Sequence, residues 1–172
     1  MRCCMRKVTD DYSPEIARHK LDLRFQDNEP MSELIRDMKK TDLCVLAALC
    51  DGKTLTTAGY NIDADYSVNR ASAVAHSLKQ YLLPISAKSL PAKADVGGIS
   101  HQSAFFISKE DLSRLEKDTE SVFAVCRKSL LVQKENSAQK EMKRLYKEFG
   151  EEGVLNLLRS VANDSSPDNQ AG

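Results

Sequence analysis

Excess charge of either sign is missing from this 172-residue chain, in which 25 lysines and arginines balance 25 aspartates and glutamates. Without a net field, neither nucleic acid nor an anionic membrane is favoured as a partner. Long apolar runs are missing as well: Leu43 to Cys50 is far shorter than the roughly 20 residues a membrane-spanning helix needs. No signal peptide opens the chain, so a soluble, cytoplasmic protein without a membrane partner is expected. There is no CxxC pair among the cysteines at 3, 4, 44, 50 and 126, and an odd count makes a poor disulfide framework. Reduced thiols follow, with Cys44 and Cys50 packed as small hydrophobes. Cys3 and Cys4 stand between Arg2 and Arg6 without a myristoylation pattern.

What is there is a legible order of elements. "DDYSPEIARHKLDLRF" carries a helix start, with Ser13 as cap, Pro14 at the first helical position, and Ile16 and Leu23 sharing a buried side. "MSELIRDMKK" predicts a second helix, with Leu34, Ile35 and Met38 on one face and Lys39 and Lys40 at the negative end of its dipole. "DLCVLAALCDGKTLTTAGYN" reads as two strands joined at Asp51-Gly52, a dipeptide suited to a hairpin turn. Its first arm, Leu43 to Leu49, is apolar on both faces and belongs inside a covered sheet, whereas the second alternates as a strand nearer an edge does.

Val68, Ala71, Ala75, Leu78 and Leu82 predict a helix capped by Ser67 or Asp65 and stopped by Pro84, lying flat on the hairpin by its alanine-rich face. "PISAKSLPAKADVGGISHQ" is a connection with room for short strands, and "SAFFIS" is the next strand candidate. Ser108 with Asp111 resembles a capping box, opening a long helix through Leu112, Leu115, Val122, Cys126 and Leu130. Met142, Leu145, Tyr146 and Phe149 continue an amphipathic pattern that breaks near Gly150 and Gly153 before "VLNLLRSV", as a helical hairpin or bent arm would. The polar ending "NDSSPDNQAG" suits a disordered tail.

The expected fold class is therefore α/β, a small sheet built on a β-hairpin with packed helices, plus a C-terminal helical extension. The expected divisions are an N-terminal segment with a short helix (1–29), an α/β core (30–132), a helical extension (133–163) and a tail (164–172).

The segment "MSELIRDMKKTDLCVLAALCDGKTLTTAGYN" resembles the opening of the cytidine and deoxycytidylate deaminase fold, where a helix enters a hairpin ending in a similar Gly-Tyr-Asn stretch. That resemblance implies a zinc site with a His or Cys ligand, a Glu proton shuttle and a PCxxC turn. At the matching place stand Arg70-Ala71-Ser72, and no PCxxC follows. Arg70 cannot ligate zinc and Ser72 cannot replace a carboxylate, so the resemblance implies the fold without its usual catalysis. The element order is also similar to the roadblock or dynein light-chain domain, which implies pairing of domains and no catalytic residues.

The chemical candidates are few. His76 sits among apolar helix residues, where a partly buried, satisfied side chain is the plain reading. His101, after "GGIS", is the better chemical candidate, and a Cys-His pair could draw on Cys44, Cys50 or Cys126. The cysteine and histidine spacings match no familiar zinc pattern. "DVGGIS" lacks the GxxxxGK[ST] phosphate loop and reads as a turn, and "NIDADY" lacks the downstream glycine and glutamate of a calcium loop. No metal and no cofactor are therefore assigned.

Two functions remain open. One is a non-catalytic interaction or regulatory module, self-associating as a homodimer or binding a protein partner through its sheet or through the helical face of Met142, Leu145, Tyr146 and Phe149. Lys140, Lys143, Arg144 and Lys147 form the solvated side of that helix. The other is a diverged deaminase-like enzyme or nucleotide-binding protein, with a pocket at the strand end 57–61 and the head of helix 67–83. Tyr60, Asn61, Asn69, Arg70, Ser72 and His101 would line it.

Overall fold

The computed structural model describes residues 5–57, 63–93 and 96–164. Its fold is mixed α/β, organised around a helix rather than the expected hairpin. This helix, α4 (Lys40–Cys50), is buried at every residue from Asp42 to Cys50. Leu43 to Leu49 had been expected as a strand, and the structure corrects this. Alanine and leucine are among the best helix formers, no glycine or proline interrupts them, and a helix that is apolar all round belongs inside a core. Periodicity cannot separate such a helix from a buried strand.

Asp51-Gly52 is accordingly a helix stop, not a hairpin turn. Gly52 takes a φ of 77°, its N–H reaches the Leu49 carbonyl, and the Lys53 N–H reaches the Ala48 carbonyl at 3.0 Å. Those two bonds make a Schellman cap, which needs the same positive φ that a hairpin turn needs.

The helix is enclosed by its neighbours. α1 (Val8–Asp11), α2 (Pro14–Arg24) and α3 (Glu29–Asp37) precede it, and α1 and α2 pack directly on it. Ser13 caps α2 by accepting from the Ile16 N–H, with Pro14 at the first helical position. The buried side of α2 is Ala17 and Leu21, whereas Ile16 and Leu23 are exposed. The pair once expected inside is therefore outside, because small Ala17 permits the closer approach to α4. In α3, Met31 and Ile35 are buried, with Met38 at its C-cap. Lys39 and Lys40 do not close α3 but open α4.

The sheet has the order β2-β1-β4-β3, built from β1 (Leu55–Thr56), β2 (Tyr66–Ser67), β3 (Ser86–Lys93) and β4 (Ile99–Phe106). β1 pairs parallel with β2 (Leu55 with Tyr66) and antiparallel with β4 (Leu55 with Phe105), so it lies inside the sheet and not near an edge. The hairpin of this fold is β3–β4, with Gly97 and Gly98 at positive φ in its turn. The stretch read from the sequence as a connection is thus the longest strand pairing among the described residues. Its outer strand β3 carries Lys88, Pro91 and Lys93.

α5 (Ala71–Gln80) starts later than expected because Tyr66–Ser67 is committed to β2. It buries Ala71, Val74, Ala75 and Leu78. It stops before Pro84, since Leu82 adopts a φ of 64° and Leu83 donates to the Leu78 carbonyl. Asp42, buried in the first turn of α4, accepts a 2.6 Å hydrogen bond from the Ser77 hydroxyl of α5. The positive end of the α4 dipole favours a carboxylate there.

Ser108 caps the next helix as expected, accepting from the Asp111 N–H at 3.0 Å, while the Asp111 carboxylate takes the Ser108 hydroxyl proton and not the backbone N–H that a full capping box would use. The expected long helix, however, is two helices, α6 (Lys109–Lys117) and α7 (Thr119–Asp164). Asp118 breaks the run and accepts from the Ser121 N–H. Asn28 caps α3 and also donates to Thr119 Oγ1 at 2.7 Å, tying that junction to α3.

The chain divides into two units, residues 1–128 and 129–172. In the first, Val122 and Phe123 of α7 join the core. In the second, Gly150 interrupts the helix with φ 71° and ψ 178°, a conformation that only glycine adopts at low cost. No helix among the described residues is long and apolar enough to cross a membrane.

Candidate functional site

Three surfaces carry the candidate chemistry. At the head of α5, Asn69, Arg70 and Ser72 are exposed, while Tyr60 and Asn61 lie outside the described residues. Arg70 is the N-cap of α5 in the left-handed region (φ 57°, ψ 44°), and its side chain makes no capping bond. His101 is exposed on β4, opposite Pro91. Behind the head of α5 lies a cavity of about 10 Å³, walled by residues that include Val45, Leu55, Ala71, Val74, Leu78 and Phe105. Ligand sites measure roughly 300–1,000 Å³, so this is a packing void, and none of Asn69, Arg70, Ser72 or His101 lines it.

Burial disfavours the thiolate form of each cysteine among the described residues. Cys44 and Cys50 are buried within α4 and Cys126 is half-buried. Burial pushes the Cys50 thiol up to about 12 and raises Cys44 and Cys126 as well, which removes the thiolate a nucleophile needs. His76, expected to be partly buried, is exposed, because the buried side of α5 is taken by Val74, Ala75 and Leu78. Among the described residues, no group of three His, Cys, Asp or Glu side chains gathers as a metal ion would require.

A second surface was not foreseen. The Tyr12 hydroxyl donates to Asp51 at 2.9 Å, and Lys20 reaches the same carboxylate at 2.8 Å. The Tyr66 hydroxyl donates to Asp11 at 2.6 Å, and Arg6 pairs with that carboxylate at 2.9 Å. The two tyrosine rings meet edge to face with centroids 5.8 Å apart. Burial pushes the Asp51 carboxyl up, but the bonds from Lys20 and Tyr12 outweigh it and hold the carboxyl below its ordinary value. The bond to Asp11, with burial behind it, pushes the Tyr66 phenol up to about 12. These phenols are kept protonated as donors, so the network works as a tether. It joins α1 and α2 to the end of α4 and to β2. Its partners stand 39 and 55 positions apart in sequence, and no local pattern announces such a pairing.

The third surface belongs to the second unit. Between Ser129 and Phe149 one face of α7 carries Leu131 (61% exposed), Met142 (39%), Tyr146 (52%) and Phe149 (52%), with Leu145 half-buried. No family model, curated protein or solved structure matches the chain. The opposite face holds Lys140, Lys143, Arg144 and Lys147, and Arg144 pairs with Glu141 at 2.6 Å and with Glu148 at 3.5 Å. Past Gly150, the helix resumes with Val154 buried and Leu155, Leu157 and Leu158 exposed. A Cβ on Gly153 would stand 2.8 Å from Phe149 Cβ, so the absence of a side chain at 153 permits the close approach of the Phe149 Cβ. Chemically, this face can do one thing well, which is to bury itself against another apolar face.

Proposed function

We propose that this chain is a non-catalytic interaction module that self-associates through the apolar face of α7 between Leu131 and Phe149. The observation that carries this reading is the exposure of Leu131, Met142, Tyr146 and Phe149 on one side of a single helix. Fully burying a side chain of this size contributes about 1.5–3 kcal/mol, and grouped apolar surface of this kind marks interaction sites. The apolar stripe is backed by a basic, solvated side, as in a helix that presents one face to a partner.

The test is the mass of the full chain in solution at about 100 μM. A species heavier than one chain is expected, and Met142→Lys with Phe149→Glu is expected to return it to one chain without changing helix content by circular dichroism. A wild-type chain of single mass at that concentration would overturn the reading.

A further inference from the structure

The apolar face of α7 has a finer pattern than amphipathicity. Leu131, Glu135, Ala138, Met142, Leu145 and Phe149 follow one another at alternating steps of four and three residues, which is the seam spacing of a two-stranded coiled coil. The seam is bounded at one end by Gly150, where the helix breaks directly after Phe149. Lys134, Glu141 and Glu148 flank it on one side. The exposed basic residues Lys140, Lys143, Arg144 and Lys147 fall on the far side of the helix, away from the seam.

We infer that α7 pairs with α7 of a second copy in antiparallel fashion, with Ala138 opposite Met142 of the partner. This rests on the self-association proposed above and goes on to specify its direction and register. The argument is one of complementarity along the seam. If two copies ran parallel and in register, Glu135 would face Glu135, placing two carboxylates together between apolar layers, which is costly without a compensating partner. Ala138 would face Ala138, leaving a gap where two small side chains meet, and Phe149 would face Phe149.

Reversing one helix removes all three conflicts. Leu131 then meets Phe149, Glu135 meets Leu145, and Ala138 meets Met142, so Ala138 stands opposite a large side chain and neither Glu135 nor Phe149 faces its own copy. The flanking charges agree with the same register. Lys134 comes beside Glu148 of the partner, and symmetry supplies that pair twice. Glu141 lies at the centre beside its own copy, but each Glu141 is already held by Arg144 within its own helix at 2.6 Å. Sliding the helices by one heptad in one direction sets Glu141 beside Glu148, and sliding the other way leaves Phe149 without a layer.

The experiment uses the full chain with Cys3, Cys4 and Cys126 replaced by serine, leaving the buried Cys44 and Cys50. Ala138→Cys and Met142→Cys chains are oxidised under mild conditions, separately and after mixing at about 100 μM, and resolved without reductant. Covalent dimer is expected mainly in the mixture. Dimer formed as readily by either variant alone would overturn the antiparallel register while leaving self-association standing. A parent chain whose mass is that of one chain would overturn both. A second arm needs no cysteine: Lys134→Glu is expected to weaken association about tenfold, and adding Glu148→Lys to the same chain is expected to restore it. Failure of that rescue in a folded chain would also overturn the register.

Discussion

α4 and the portion of α7 from Ser129 to Phe149 are both helices that carry large apolar side chains, yet one is buried along nearly its whole length and the other is exposed along nearly its whole length. The difference is in how the apolar residues are arranged. In α4 they surround the axis, so each side must be covered, and α1, α2 and α5 cover it. In α7 they form a stripe with a charged back, so the helix is satisfied by one covered side. Hydrophobic content alone would rank the two helices by degree, whereas distribution around the axis assigns them different tasks, one building the fold and the other presenting a surface.

That contrast is open to attack, beginning where the effect is greatest. Leu46→Ala removes a fully buried side chain from the centre of α4 and is expected to cost about 2–5 kcal/mol in urea unfolding. The substitutions of Met142 and Phe149 described above should leave the unfolding midpoint nearly unmoved when it is measured at a protein concentration low enough that the wild type is a single chain. Should both sets cost the same, the assignment of tasks fails.

A smaller effect is expected from acid. The Asp51 carboxyl lies below its ordinary value in the folded state, so the stability it contributes is present above the unfolded carboxyl pKa of about 4 and is lost as pH falls through the folded value. Urea midpoints measured from pH 6 down to pH 2 should fall more steeply in the wild type than in Asp51→Asn. Parallel curves would show that the tether at the end of α4 carries no such linkage. The sign reverses for Tyr66: its raised pKa of about 12 contributes stability that is complete below about 10 and lost between there and 12.

The smallest effect concerns Arg70. Its left-handed backbone (φ 57°) carries a side chain that makes no capping bond, so Arg70→Gly is expected to raise stability by about 0.5–1 kcal/mol. A loss of stability would mean that the arginine side chain does structural work at the head of α5.

The legible parts of the fold were those governed by neighbours in sequence. Ser13 with Pro14 and Ser108 with Asp111 act within one helical turn, and both caps lie where their residue types placed them. The break at Gly150 was legible for the same reason. The misread segment, Leu43 to Leu49, failed because full burial erases the alternation that separates strand from helix, and Asp51-Gly52 supplied a turn signal equally at home in a Schellman cap. β3 and β4 were hidden by the polar, exposed residues of a hairpin that projects little of itself into the core. Of the candidate surfaces, the stripe on α7 was readable because its period is written in one helix. The tyrosine–aspartate tether was not, since it depends on residues that only the folded chain brings together.

The edge of the sheet has a consequence for how copies of this chain can meet. β3 is an outer strand of eight residues, long enough for a strand from another molecule to extend the sheet. Pro91 has no N–H to offer a newcomer, and Lys88 and Lys93 place positive charge along the strand, a device that blunts an open edge. Extension of the sheet along β3 by a strand from another molecule is thereby discouraged.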